Sequence, residues 1–244
     1  MTEQKNLQDF YESVMTVHSV MQTTQKSNER LFEKNQKNKG QLAKIEEQPV
    51  VIEDTHVKVV CAGLTNDLYI AIIDDLFKVM RKNKFEKLPS VNQLYQTSGN
   101  SSRYDKLAMI NLYDHTLNCV LEMRKILFSS ESHTPNEAIA ICLIIAILHD
   151  FGKCPSIERD FKTDVHYKHH KTSAMFAKDF LQTYRKKGLN DEIIDLVTNV
   201  IFVHHDLDAK QNIFLKILKQ ADSKAREIEM SYIASYLKHK NGDK

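Results

Sequence analysis

The sequence is poor in the two residues that make most tight turns. Only six glycines and four prolines occur among 244 residues. Sandwiches and barrels join many short strands through turns that favour these residues, so the composition argues against both architectures. Hydrophobic residues make up 42% of the chain and charged residues 27%, as in ordinary globular proteins. We therefore expect an all-α fold built from long helices.

Paired cysteines are also missing. The four cysteines lie far apart, and none belongs to a C-x-x-C pair. This spacing argues against a disulfide framework and against a structural zinc site, and it favours reduced thiols. The four residues are Cys61, Cys119, Cys142 and Cys154.

No hydrophobic run is long enough to cross a membrane. The longest, "AIAICLIIAIL" at 138–148, falls short of the ~20 residues that a spanning helix needs. It predicts instead a helix that is buried on all sides. The first residues, "MTEQKNLQDF", lack the charged-then-apolar plan of a signal peptide. We expect a cytoplasmic protein with no membrane partner.

Charge of one sign does not dominate, since 34 basic residues stand against 32 acidic ones. A net charge of +2 provides little general affinity for nucleic acid. The basic clusters at 78–87 and 184–188 could touch phosphates, but lysine runs are more often solvated faces. Nucleic acid is therefore an alternative partner that the sequence does not favour.

Two regions differ in composition. Residues 1–61 are predicted to form an N-terminal helical extension and connector, with a helix over 5–33 and a solvated linker over 33–41. That helix either packs on its own domain or joins copies of the chain into a homo-oligomer. The β-branched segment 50–61 indicates a short β-hairpin or an extended strap. Residues 62–244 are predicted to form a helical domain.

Apolar spacing and capping residues predict the helices of the second region. Thr65 is the expected cap of a helix reaching residue 83, and Thr134 the expected cap of the buried helix that ends near residue 148. A polar loop over 88–104 is expected to border a pocket. The remaining predicted helices cover 105–128, 170–187, 190–205 and 212–238.

Histidines and aspartates occur at the buried sides of these helices. Buried imidazoles and carboxylates must be hydrogen-bonded, paired or bound to a metal, and helical bundles often build metal sites from facing helices. Each residue also has a simpler interpretation, as a core histidine, a helix cap or a surface charge. The candidates are His115, His149, Asp150, His169, His170, His204, His205 and Asp222.

The order of these residues resembles the signature of the HD superfamily of metal-dependent phosphohydrolases. That family has a histidine, then a His-Asp pair, then a distal aspartate. The string "ILHDFGK" at 147–153 is similar to the family's "LLHDxGK", and "ADSKAREIE" at 221–229 looks like its final helix. The resemblance covers roughly residues 104–230 and implies an HD-type helical bundle.

The resemblance also implies a ligand set for one or two divalent ions, with Mn, Fe, Ni, Co, Zn and Mg as candidates. His115, His149, Asp150 and Asp222 are expected at one ion. His169 and His204 resemble the extra ligands of the binuclear subset, in which Asp150 would be shared. His170 and His205 are possible additional ligands.

The function that the resemblance implies is hydrolysis of a phosphoester or phosphoanhydride, with a nucleotide as the expected substrate. Asp150 and Lys153 are the expected catalytic residues, in a phosphodiesterase or a nucleotidase. The segment "DLDAKQNIF" after His205 departs from the cyclic-dinucleotide branch of the family. The alternatives are a di-iron oxygenase, a non-catalytic nucleotide sensor, and a DNA-associated relaxase or nuclease component.

Overall fold

The computed structural model describes residues 54–91, 106–129, 134–161, 168–210 and 212–242. Across these ranges the fold is all-α, as predicted, with eight α-helices and no strand. The helices are α1 Thr55–Cys61, α2 Asp67–Lys82, α3 Leu112–Ser129, α4 Asn136–Leu148, α5 Pro155–Phe161, α6 His169–Gln182, α7 Asp191–Val203 and α8 Ile213–Gly242.

Helix α4 lies at the centre of the bundle. Every residue from Ala138 to Leu148 is buried, with at most 5% of its surface exposed. The helix contacts α2, α3, α6, α7 and α8, which explains why it carries apolar residues on all sides rather than on one stripe. The prediction of a fully buried helix is confirmed, and the end of α4 is thereby fixed in the interior.

The predicted hairpin or extended strap at 50–61 is wrong for its described part, because residues 55–61 are helical. The side chain of Asp54 caps α1 by accepting hydrogen bonds from the backbone N–H groups of His56 and Val57. Val57 and Val60 are fully buried. The two residues are three positions apart, so both lie on the face of α1 that packs into the bundle. This packing overrides the strand preference of the β-branched residues. Residues 50–53 lie outside the described ranges.

Two predicted caps are one residue too early. Asn66, not Thr65, caps α2 by accepting from the backbone N–H of Leu68. Pro135, not Thr134, precedes α4 and makes no side-chain cap bond. The reason lies in tertiary contacts, since the side chain of Asn136 accepts from the Thr65 N–H at 3.0 Å and donates to the Gly63 carbonyl at 2.6 Å.

Other helix limits differ modestly from the predictions. Helix α3 begins at Leu112 rather than near residue 105. The N–H of Leu112 donates to the Leu88 carbonyl. Helix α6 ends at Gln182, and a 3₁₀ turn over Arg185–Lys187 follows. Gly188 then adopts a left-handed conformation with φ 103°, which glycine tolerates best.

Gly152 allows the turn after α4 to approach the start of α6. A Cβ atom on Gly152 would lie 2.8 Å from the backbone N of Ser173 and closer still to the carbonyl oxygen of His169. The Gly152 N–H donates to Ser173 Oγ at 2.7 Å. The absence of a side chain therefore sets the distance between the His-Asp pair and α6.

Several predictions fall outside the described ranges, namely the helix over 5–33, the linker over 33–41 and most of the loop over 88–104. The domain boundary after residue 61 stays a prediction. Among the described helices, none by itself has the length and apolar character to cross a membrane. The segments Asn136–Lys153 and Pro155–Phe161 meet that criterion only together, across an 85° bend.

Candidate metal centre

The candidate ligands come from five helices and meet near the end of α4. His115 lies in the first turn of α3, and Asp222 lies within α8. The other ligands flank helix ends: His149 and Asp150 follow α4, His169 begins α6, and His204 and His205 follow α7. Side chains more than one hundred residues apart in sequence are thus brought together.

The first group of ligand atoms comes from His115, His149 and Asp150. Their nitrogen and oxygen atoms lie within 4.8 Å of one another. Nε2 of His115 and Nε2 of His149 are each 3.3 Å from Asp150 Oδ2. Asp222 Oδ1 joins this group at 3.3 Å from His115 Nε2. All except Asp222 are buried.

The second group contains Asp150, His169, His204 and His205, again within 4.8 Å of one another. His169 Nε2 is 3.3 Å from Asp150 Oδ1 and 2.9 Å from His205 Nε2. Asp150 therefore belongs to both groups and presents a different oxygen to each.

His170 lies beside the second group without entering it. Its ring is 5.5 Å from that of His204 and 5.2 Å from that of His205. Its Nε2 is 3.9 Å from Asp206 Oδ1. Burial, followed by the nearby His169, lowers the pKa of His170 to about 4. The structure brings His169, and not His170, to Asp150.

Several buried polar atoms in the two groups have no hydrogen-bond partner among the described residues. Such atoms are rare in folded proteins and cost about 1–3 kcal/mol each, so they call for a ligand. A cation held by nitrogen and oxygen atoms satisfies them, and this donor set suits Fe, Mn, Zn, Ni and Co. The residues therefore fit a metal ion. The atoms are Nε2 of His115, His149 and His204, Oδ1 of Asp150, and Oδ1 of Asp222.

Backbone carbonyls orient two of the histidines. His149 Nδ1 is 2.8 Å from the Ala146 carbonyl, and His204 Nδ1 is 2.7 Å from the Ile201 carbonyl. These oxygens accept the Nδ1–H proton, which leaves a lone pair on each Nε2. Partners of this kind fix the tautomer and the orientation of metal-binding histidines.

The site combines an ionised carboxylate with histidines whose pKa values shift in opposite directions. Burial alone would raise the pKa of Asp150, but Lys153 and the surrounding histidines hold it well below its usual range. Burial would lower the pKa of His115, yet Asp150, Asp222 and Glu229 outweigh it and raise that pKa to about 9. Burial and the neighbouring His149 and His205 lower the pKa of His204 well below its usual value.

Lys153 contacts the centre directly. Its Nζ donates to Asp150 Oδ2 at 2.6 Å and to the Ser90 carbonyl at 2.9 Å. Ser90 belongs to the described start of the predicted 88–104 loop, so this part of the loop borders the site. The side chain of Lys153 is 15% exposed, which leaves its ammonium at the edge of the centre.

Three residues of the site are not among the predicted ones, namely Ser90, Arg226 and Glu229. Glu229 Oε1 is 2.9 Å from His115 Nδ1, and Arg226 contacts both Glu229 and Ser90. One signal was available for Glu229. It follows Asp222 by seven residues, or two helical turns, and therefore lies on the same face of α8.

Comparison with known families identifies the same region. Residues 112–227 match the family model of the HD domain. The matched segment contains every candidate ligand and supports assignment to the HD superfamily. The chain has no significant match among curated proteins or among solved structures.

Proposed function

We propose that this HD-domain chain is a metal-dependent phosphohydrolase that acts on a nucleotide or on another phosphoester or phosphoanhydride. HD domains are typical of metal-dependent phosphohydrolases. The observation that carries the proposal is the convergence of buried imidazole and carboxylate atoms that lack hydrogen-bond partners within the described ranges.

The two ligand groups support two ion positions. His115, His149, Asp150 and Asp222 would hold one ion. His169 and His204 would hold the other together with Asp150, and His205 is close enough to join them. When bound, such ions supply a nucleophilic water near neutral pH and polarise phosphoryl oxygens. Asp150 is the residue that both positions would share.

Lys153 is placed to contact a phosphoryl oxygen. An ammonium group has three N–H donors, and two of them point to Asp150 Oδ2 and to the Ser90 carbonyl. Among the described residues no acceptor lies within hydrogen-bonding distance of the third. We assign this donor to the substrate, where it would offset the charge that develops on the transferred phosphoryl group.

Substitution of Asp150 tests the proposal. Because both ligand groups use its carboxylate, Asp150→Ala should lose bound metal and phosphate release together. Metal content is measured by elemental analysis, and phosphate release by turnover of nucleotides with Mn, Fe, Ni, Co, Zn or Mg added. Asp74→Ala is the matched control, since Asp74 is a buried aspartate that contacts Lys78 on α2. An Asp150→Ala protein with the metal content and the rate of phosphate release of the wild type would contradict the proposal.

Further assays of the wild-type protein distinguish the proposed hydrolase from the alternative functions. The nucleotide panel should include cyclic nucleotides and dinucleoside polyphosphates, because they distinguish a phosphodiesterase from a nucleotidase. Nucleotide binding without turnover under any metal would favour a sensor. Oxygen consumption by the iron-loaded protein would favour an oxygenase, and salt-dependent DNA binding would favour a relaxase or nuclease component.

A further inference from the structure

Glu229 is a buried carboxylate outside both ligand groups. Only 1% of its surface is exposed, yet both of its oxygens have partners. Oε1 lies 2.9 Å from His115 Nδ1 and also accepts a longer bond from Asn118 Nδ2 at 3.3 Å. Oε2 accepts from the Arg226 guanidinium at 2.8 Å.

Arg226 connects this carboxylate to Ser90. Its guanidinium donates to Ser90 Oγ at 2.8 Å and to the Ser90 carbonyl at 3.0 Å. The same carbonyl accepts from Lys153, which donates to Asp150. A continuous series of hydrogen bonds therefore connects His115 to Asp150.

His115 needs a partner from another helix because of its position. His149 and His204 follow helix ends, where the last carbonyls have no partner within the helix and can accept from a side chain. His115 lies in the first turn of α3, where the unpaired backbone groups are N–H donors rather than carbonyl acceptors. The acceptor for its Nδ1–H must come from elsewhere, and α8 supplies it.

An ionised carboxylate can only accept hydrogen bonds. Oε1 of Glu229 faces His115 Nδ1, while Oε2 accepts from the Arg226 guanidinium. A histidine that binds a metal through Nε2 is neutral and carries its one proton on Nδ1. Oε1 is the acceptor for that proton, and Nε2 faces Asp150 and Asp222.

We propose that Glu229 is a positioning residue for His115 and is itself held by Arg226, which Ser90 supports in turn. It sets the tautomer and the ring orientation that metal binding by His115 requires. This inference rests on the proposed metal site, but it does not require that the site hydrolyse phosphate.

Glu229→Gln is the informative variant, because it keeps the size of the side chain and replaces one acceptor oxygen with an NH₂ donor. The amide oxygen should stay with the Arg226 guanidinium, which donates to Oε2 in the wild-type protein, so the NH₂ group faces Nδ1. A donor facing Nδ1 would favour the tautomer with its proton on Nε2, and a protonated Nε2 cannot bind a metal. We expect Zn²⁺ to bind about 10- to 100-fold more weakly, the usual effect of removing such a partner. Affinity is measured on the chelator-treated protein by competition with a chromophoric chelator.

Glu122→Gln is the matched control. Glu122 is a buried glutamate on α3 that contacts Lys125 and neither ligand group. Its substitution should leave Zn²⁺ affinity within about twofold of wild type, because only partners of the ligand histidines should produce the larger loss. A selective loss in Glu229→Gln supports the inference. Equal losses in both variants, or a loss in neither, would overturn it.

A spectrum of the wild-type protein decides the question if Glu229→Gln does not fold. In the Zn²⁺-loaded protein, long-range ¹H–¹⁵N correlations report which ring nitrogen of each histidine carries the proton. We expect the His115 proton on Nδ1, assigned by the signal that His115→Gln removes. A proton on Nε2 would overturn the inference. Zn²⁺ binding with this tautomer but without phosphate release would refute only the proposed function.

Discussion

Asp150 is the side chain on which both candidate ion positions depend. Its Oδ2 faces His115, His149 and Lys153, while its Oδ1 faces His169. A carboxylate has enough lone pairs for all of these contacts. Its location at the end of the buried helix α4 leaves it little freedom to move, so the two ligand groups are held in one fixed relation.

Lys153→Ala should separate metal binding from catalysis. The lysine contacts Asp150 but is not in either ligand group, so metal content should stay close to wild type. Phosphate release should fall about 10²- to 10³-fold, as expected when one donor to a developing oxyanion is removed. Elemental analysis and steady-state turnover on the same preparation measure the two effects.

The control for this prediction is Lys178→Ala, because Lys178 is a half-exposed lysine on α6 that pairs with Asp195. It should change neither metal content nor rate. Loss of metal in Lys153→Ala comparable to that in Asp150→Ala would show instead that the lysine acts by holding Asp150.

The residues of the centre differ in how far sequence predicts them. The His-Asp pair follows an apolar run, and its spacing from His115 and Asp222 is informative, so their convergence could be anticipated. Glu229 lies in the charged string "ADSKAREIE", which also fits a solvated helix face. Ser90 contributes a carbonyl oxygen, and a backbone atom leaves no signature in residue type.

Among the helices, the existence of most elements could be predicted better than the residues at which they begin and end. Helix α4 is apolar on every side, and only burial explains such a pattern. The cap of α2 depends on Asn136, which is 71 residues away from Thr65 and engages it in the folded protein. Helix α1 forms against a strand-like composition because Val57 and Val60 pack into the bundle. Long-range contacts of this kind cannot be seen in a local pattern.

Gly152→Ala should disturb the packing of the α4 turn against α6. The added Cβ would overlap the backbone of His169 and Ser173, so the start of α6 must shift and carry His169 away from Asp150. We expect a loss of about 1–3 kcal/mol in the free energy of unfolding, as for other overpacked sites. The ion held by the second group should be lost before the ion held by the first.

Gly63→Ala is the control for this change. Gly63 has a positive φ of 85°, and a Cβ there would meet nothing within 4 Å. The substitution should lower the free energy of unfolding by about 1–2 kcal/mol through backbone strain, while metal content is unchanged. Denaturant unfolding and elemental analysis of both variants test the difference. Equal metal content in Gly152→Ala and Gly63→Ala would contradict the role given to Gly152.

At the scale of the whole molecule, an ion would join helices that contribute ligands from distant parts of the chain. Helices α3, α4, α6, α7 and α8 all supply or flank ligand residues. Without an ion, the unpartnered atoms of the centre remain buried between them. Binding should therefore stabilise the assembled bundle, because the unfolded chain does not hold these ligands together.

Thermal unfolding should consequently depend on metal concentration. An ion at 100 times its Kd stabilises a protein by about 2.7 kcal/mol when it binds only the folded state. For a domain of this size, that corresponds to a rise in Tm of roughly 5–10 °C. The chelator-treated protein is compared with the same protein saturated with Mn²⁺ or Zn²⁺. Asp150→Ala should show almost no shift, since both ligand groups lose the same carboxylate, whereas Asp74→Ala should respond like wild type. An equal shift in Asp150→Ala would place the stabilising ion elsewhere on the chain.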